Sequence, residues 1–470
     1  MYDVIIIGAG IIGSSVAYYL GQHDLKVLVL EADNDVSNGT TKANSAIIHA
    51  GYDPKKGTLM ARHNVEGARL CKQLCAKLDV PYKQCGALVI GFSEEDDDTI
   101  RKLYQRGLDN GVAGLKVLNH EEVLELEPNL SPEVTSALLA QTSAIVSPWE
   151  YCLALMETAV RNGVELKLNN EVTAIEKNDG IFTVTTNKDK YQGRYIINCA
   201  GVNSDEIHEL IGRKEFTIDP SKGEYYLLDK NQGKLVSRTI FQCPNKDGKG
   251  VLVSPTVHGN LIVGPNAQGS EGDDVSTSLE GLSFVRTHAA KSVPTVNFRE
   301  NIRNFAGVRA RSDRGDFVVE ESKSVPDFFN LASILSPGLS AAPSLALAAV
   351  DWLKTKMVFK KKEEYIDSRK RIRFKELSRE EKRELIKKNP HYGRVICRCE
   401  TITEGEILAC FDTPIPPVSI DGVKRRCNTG MGRCQGGFCS ERIAEIFVKE
   451  RHYRPEDILQ DKNGSNIIVK

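Results

Sequence analysis

The feature that most limits how this chain can fold lies near its start. Four apolar residues, Val4 to Ile7, meet Gly8-Ala9-Gly10-Ile11-Ile12-Gly13, an apolar stretch runs on to Leu20, and Val27-Leu28-Val29-Leu30-Glu31 follows. This reads as strand, glycine turn, helix, strand and acid, the order that a parallel βαβ unit requires. Gly8 permits the tight turn, Gly10 lets backbone approach a pyrophosphate, and Gly13 lets the helix pack closely on the strand. The free N–H groups of the helix start, around Ile12, face the anion. Glu31 closes the second strand, where a carboxylate accepts hydrogen bonds from a ribose diol. A glycine triplet alone is weak evidence, because such spacings arise by chance; the flanking strands and the closing acid make a dinucleotide site the reading here. The motif by itself does not separate FAD from NAD.

With 470 residues the chain exceeds the usual limit for a single core, so two or three domains are expected. A net charge of -1 removes any global electrostatic argument for nucleic acid or an anionic membrane as partner. Met1-Tyr2-Asp3 enters the first strand directly, without a basic leader or a cleavage site, so a cytoplasmic location is expected. The most apolar later stretch, Leu335 to Leu353, contains Pro337, Gly338, Pro343 and Asp351. It suits a loop and a buried helix better than a membrane span, and it does not argue against contact with a membrane surface.

After Glu31, the polar segment from Asn38 to Gly51 offers hydroxyls and small residues, Thr40, Thr41, Asn44 and Ser45 among them, that let backbone run close to a ligand. Apolar spacing predicts helices over Asp53 to Leu78, Glu94 to Asn110, Glu121 to Glu127 and Trp149 to Asn162. The run Tyr195 to Cys199 enters Ala200-Gly201, a second point where backbone can approach a cofactor. Residues Lys222 to Pro265 carry β-type runs broken by glycine and proline, which suits a β-rich substrate domain. The chain is then expected to return to the nucleotide domain through Asn304 to Arg309, the strand Asp316 to Val319, and Ser336 to Pro343, where Gly338 opens a helix with an anion-ready end. From Lys354 to Asn389, acids interrupt the lysines and arginines, so a solvated helix or linker is expected rather than a nucleic-acid patch.

Six of the twelve cysteines are scattered through the first half and read as core or surface thiols. The others fall between Cys397 and Cys439, where Cys397-Arg398-Cys399 is followed, 35 residues after Cys399, by Cys434 and then Cys439. Four thiolates hold either a 2Fe-2S cluster or zinc. Glycines 430, 432, 436 and 437 free N–H groups to point at sulfur, and Lys424, Arg425, Arg426 and Arg433 are expected to offset a negative cluster; zinc needs less of this. Cys427 is extra in this window, which leaves open a ligand swap or a redox-active thiol.

Four ordered blocks carry a resemblance: ANSAIIHAGYDP (43–54), KGVLVSPTVHGNLIVGPNA (249–267), FAGVRA (305–310) and SPGLSAAPSLA (336–346). On these the chain resembles the D-amino-acid-oxidase-like superfamily of FAD enzymes, nearest to type II glycerol-3-phosphate oxidases and the flavin subunit of anaerobic glycerol-3-phosphate dehydrogenases, with L-2-hydroxyglutarate oxidases close behind. ICRCE and KRRCNTGMGRCQGGFC resemble the bacterioferritin-associated-ferredoxin-like 2Fe-2S domain. The resemblance implies an α/β fold: a Rossmann-type FAD-binding domain from segments 1–90, 145–220 and 300–355, with an inserted β-rich (α+β) substrate domain from 85–145 and 220–300. A charged linker would cover 356–390 and a small iron-sulfur domain 391–470.

It also implies roles. His49 would lie beside the flavin as the base, Arg309 would hold the substrate anion, and Lys249 would lie near the site. Ser336, Gly338, Leu339 and Ser340 would line the flavin, and Thr40, Thr41, Asn44, Ser45, Val172, Ala200, Gly201 and Gly307 would complete the FAD set. Arg309 is followed by Ala310-Arg311 where many members have proline, and Arg311 and Arg314 are further candidates for the anion. Cys397, Cys399, Cys434 and Cys439 would ligate the cluster. The expected reaction is oxidation of sn-glycerol 3-phosphate, with an L-2-hydroxyacid dehydrogenase, or an electron-transfer subunit active only with a redox partner protein, as the alternatives.

Overall fold

The computed structural model describes residues 1–244, 250–270, 272 and 274–468. Tyr2–Ile7 sits inside an eight-stranded sheet, parallel to Val27–Leu30 on one side and to Lys190–Asn198 on the other. The unbroken apolar run at 4–7 exists because both faces of this sheet are buried. Val4 and Ile6 point into a core shared with Val27, Val29 and Ile197, whereas Ile5 and Ile7 face Leu28, Leu30, Phe182 and Phe328. Helices Ile11–Leu20, Pro148–Arg161 and Gly338–Lys356 contribute to the first core; ligands of such sheets usually bind outside the carboxyl ends of the strands.

Among the described residues the second sheet has nine strands and is mostly antiparallel, with one parallel pair, Thr239–Gln242 beside Ala87–Gly91. Asn301–Arg309 lies antiparallel to Ser221–Leu228 in this sheet, from Ser221 opposite Arg309 to Leu228 opposite Asn301. That differs from the expected return to the nucleotide domain at residue 300: the chain rejoins the first sheet only at Val318–Glu321 and Phe328–Ala332. The predicted helix from Asp53 starts at Leu59 instead, because Thr58 caps it by accepting from the N–H of Ala61.

The charged stretch after residue 355 is only partly solvated. Its first half is a strap whose cations meet carboxylates on the flavin side: Arg369 with Glu157 at 2.6 Å, Arg371 with Glu150 at 3.1 Å, and Arg373 with Asp79 at 2.7 Å. Arg369 is 5% exposed, so the stretch is held rather than free. Arg379–Lys388 then forms a solvated helix with a capping box, Ser378 and Glu381. Helices Glu404–Phe411, Ile420–Cys427 and Ser440–Arg451 pack around Phe447 and Val423 to form the C-terminal core. Among the described residues no helix is long and apolar enough to cross a membrane.

Candidate functional site

The glycine turn has the geometry its residues dictate. Gly8 adopts φ +102°, and a Cβ there would lie 2.5 Å from the carbonyl oxygen of Cys199. A Cβ on Gly13 would collide with the Gly8 carbonyl, so helix and turn touch only because both are glycine. Helix Ile11–Leu20 begins at Gly10 with no side-chain cap, and Thr41 Oγ1 accepts from the Ile11 N–H at 3.0 Å. Gly8 and Gly10 are partly exposed, whereas Ala9, Ile11, Ile12 and Gly13 are buried. Glu31 accepts from the N–H groups of Ala9 (2.7 Å) and Asp33 (2.9 Å), and burial pushes its carboxyl up to about 7. Ala200 and Gly201 follow the strand that ends at Asn198, and Ala200 and Val172 pack, partly buried, against the core of Ile5, Leu28 and Leu30.

The segment after this turn crosses to the second sheet. Thr40 donates to the Val308 carbonyl (2.6 Å), and Asn44 Nδ2 donates to the Thr41 carbonyl (2.8 Å). Asn44 Oδ1 accepts from the Ala46 N–H at 2.8 Å, and the Ser45 hydroxyl lies 3.1 Å from that of Tyr225. Gly307 is glycine because the Ala43 carbonyl occupies the place of a Cβ.

His49 is fixed at three points. Its N–H donates to Ser340 Oγ at 2.7 Å, its carbonyl accepts from Asn64 Nδ2 at 2.6 Å, and Nε2 lies 3.4 Å from Ser336 Oγ. The ring lies 5.6 Å from that of Phe241. Ser336 and Pro337 precede the helix at Gly338 and line a small cavity with His49, Tyr52, Asp53 and Asn64; the helix itself starts without a side-chain cap, and Leu339 is half-buried.

Arg309 ends its strand with its guanidinium where a Cβ on Gly223 would be, and Nη2 donates to the Asn266 carbonyl at 3.3 Å. Among the described residues no carboxylate forms an ion pair with Arg309. The other two arginines are committed at the surface, Arg311 to Asp219 and Arg314 to Glu320, so the expectation that they help bind an anion is corrected. Lys249 lies outside the described residues. Sequence reasoning missed Asn64, Phe241 and Gly223; only Gly223, a glycine inside a strand, carried a signal of close approach.

The four cysteines form two pairs. Cys399 Sγ and Cys434 Sγ are 3.7 Å apart, and the Cys397 and Cys439 thiols are hydrogen-bonded. A separation of about 3.7 Å matches the edge of a tetrahedron with metal–sulfur bonds of about 2.3 Å. Two adjacent thiol pairs suit two irons, each taking a pair. The Gly430 N–H points at both Cys397 and Cys439, and the Cys439 partner holds the Cys397 thiol down to about 6. Cys427 faces Cys410 in the helical core instead. The basic run is also corrected: Arg425 and Arg426 pair with Asp35, and Lys424 pairs with Asp421, so their charges are already spent on carboxylates. The glycine turn, where backbone is partly exposed at Gly8 and Gly10, and the paired thiols are each suited to their group, FAD and a 2Fe-2S cluster.

A family model described as FAD dependent oxidoreductase matches residues 3–352, and one described as a BFD-like 2Fe-2S binding domain matches 395–449. Glycerol 3-phosphate dehydrogenase of Caloramator mitchellensis is 48% identical over 472 residues, covering 100% of this chain and 98% of that one. Glycerol 3-phosphate oxidase of Mycoplasma genitalium is 35% identical, covering 76% of this chain and 95% of that one. The solved structure of dithionite-reduced L-alpha-glycerophosphate oxidase from Mycoplasma pneumoniae with FAD bound superposes with a TM-score of 0.75 at 31% identity, covering 78% of this chain and 98% of that one. The chain belongs to the FAD-dependent oxidoreductase family and carries a BFD-like 2Fe-2S binding domain at its C-terminal end.

Proposed function

We propose that the chain oxidises sn-glycerol 3-phosphate to dihydroxyacetone phosphate. The observation that carries this reading is its full-length likeness to glycerol 3-phosphate dehydrogenase. Oxidation of the secondary alcohol breaks a C–H and an O–H bond, releasing a hydride and a proton. Bound FAD supplies the hydride acceptor. His49 takes the hydroxyl proton, and its fixed backbone keeps the imidazole in place while the proton moves. Arg309 grips the phosphate with a planar donor fork in a site where no described carboxylate competes for it.

A bound 2Fe-2S cluster supplies a one-electron acceptor. Cys397, Cys399, Cys434 and Cys439 would hold it, and a redox partner protein would dock where Cys399 and Phe438 face solvent; Phe438, beside Cys439, is 84% exposed. We place the protein in a reducing, cytoplasmic setting, in which the eight cysteines outside the cluster set stay thiols. The test is anaerobic mixing followed by flavin absorbance. Bleaching by glycerol 3-phosphate alone is the expected result; bleaching by L-2-hydroxyglutarate instead, or by neither without a partner, overturns the assignment.

A further inference from the structure

The loop between Glu31 and Thr41 touches the glycine turn twice. Ser37 N–H donates to the Ala9 carbonyl at 3.2 Å, and Thr41 Oγ1 accepts from Ile11 at 3.0 Å. Between these two points its outer side is held by the C-terminal domain. Asp35, 1% exposed, takes Arg426 on both oxygens (2.8 and 2.9 Å) and Arg425 at 3.0 Å. Asp461 accepts from Lys42 and from Arg425, each at 2.7 Å, and its backbone carbonyl accepts from Asn34 at 2.8 Å. Lys462 reaches Asp33 at 3.0 Å. Arg426 is itself aimed by the carbonyls of Ile415 and Gly422, both at 2.9 Å, so the fork is preset within the C-terminal domain.

A buried carboxylate is tolerable only when its charge is matched. Without the two arginines, Asp35 must turn out to water, and the loop cannot keep its present course against the glycine turn. We propose that the C-terminal domain is a structural part of the FAD site: Asp35, Arg425, Arg426 and Asp461 are positioning residues that hold loop 33–42 in its nucleotide-binding shape. Coupling of this kind is reciprocal, so FAD in turn tightens the C-terminal domain. The inference rests on the FAD site alone and holds whichever substrate the enzyme takes.

The test uses the full chain, stripped of FAD and titrated with it by flavin fluorescence. If the unclamped loop spends about a tenth of its time in the competent shape, Asp35→Asn and Arg426→Gln each weaken FAD binding about tenfold. The double variant binds no worse than the weaker single one, because both substitutions break the same Asp35–Arg426 pair. FAD affinity equal to the unmodified chain's in folded variants overturns the proposal. Should the variants fail to fold, hydrogen exchange in the unmodified chain decides. FAD is expected to slow exchange in helix 420–427 and in residues 458–466, and identical exchange with and without FAD overturns the proposal.

Discussion

Replacing His49 with alanine separates chemistry from architecture, because the loop that carries it is pinned through its main chain. The N–H bond to Ser340 and the carbonyl bond from Asn64 both survive loss of the ring. Among the contacts that go are the ring's packing near Phe241 and its approach to Ser336. An aromatic contact of this sort is worth about 1 kcal/mol of stability. A positioned general base contributes roughly 100-fold or more in rate, and two decades correspond to about 2.7 kcal/mol of barrier. The variant is therefore expected to fold, to keep its FAD, and to reduce flavin roughly 100-fold more slowly in anaerobic stopped-flow with glycerol 3-phosphate. His49→Asn restores a polar side chain without a base and should be equally slow. A reduction rate near that of the unmodified chain would remove His49 from the mechanism.

Three further outcomes follow from the same geometry. Arg309→Ala removes charge-assisted bonds worth about 1.5–3 kcal/mol and should lower kcat/KM for the phosphate substrate roughly 10- to 100-fold, with flavin content unchanged; an unaltered value assigns the anion to another cation. Cys434→Ser should abolish the iron-sulfur absorption and transfer to one-electron acceptors while flavin reduction by substrate persists, and a fully retained cluster would exclude Cys434 as a ligand. Burial holds the Glu31 carboxyl up near 7 in the nucleotide-free chain, whereas ribose hydroxyls donating to it favour the ionised form. Binding must then release a proton below that pH, so FAD affinity falls as pH drops, approaching about tenfold per unit, and is level above it. Glu31→Gln should flatten that profile, and a pH-independent Kd in the unmodified chain would refute the linkage.

The parts of the fold that showed in the sequence are those in which one residue type reports a local constraint. The run Val4 to Ile7 reads as a strand covered on both faces, and the two sheet faces do divide its residues between two cores. Gly8 and Gly13 mark the turn because any Cβ there meets carbonyl oxygen. Pairing between distant segments left no such trace. Nothing in the sequence of Asn301–Arg309 names its partner, and its register against Ser221–Leu228, about eighty residues earlier in the chain, assigns it to the second sheet. The same separation hides the candidate site: Ser340 and Asn64 approach His49 from two helices, and nothing near either residue announces it.

Charge was the most misleading signal, for a physical reason. A sequence gives the sign of a side chain but not the sign of what it faces, and electrostatic strength depends on that partner and on burial. Arg425 and Arg426 lie within fifteen residues of two ligand cysteines and so invite assignment to the cluster, yet they turn the other way, into Asp35. Arg369, in a stretch that reads as solvated, is buried against Glu157. In both places a cation from the chain's second half neutralises a carboxylate on the flavin side. Exposed pairs of this kind contribute little, but a buried pair is costly to break from one side. These contacts therefore fix how the C-terminal domain is seated, and with it the direction in which Cys399 and Phe438 face solvent. The acids that determine this seating, Asp35, Glu150 and Glu157, lie more than two hundred residues before the arginines they hold.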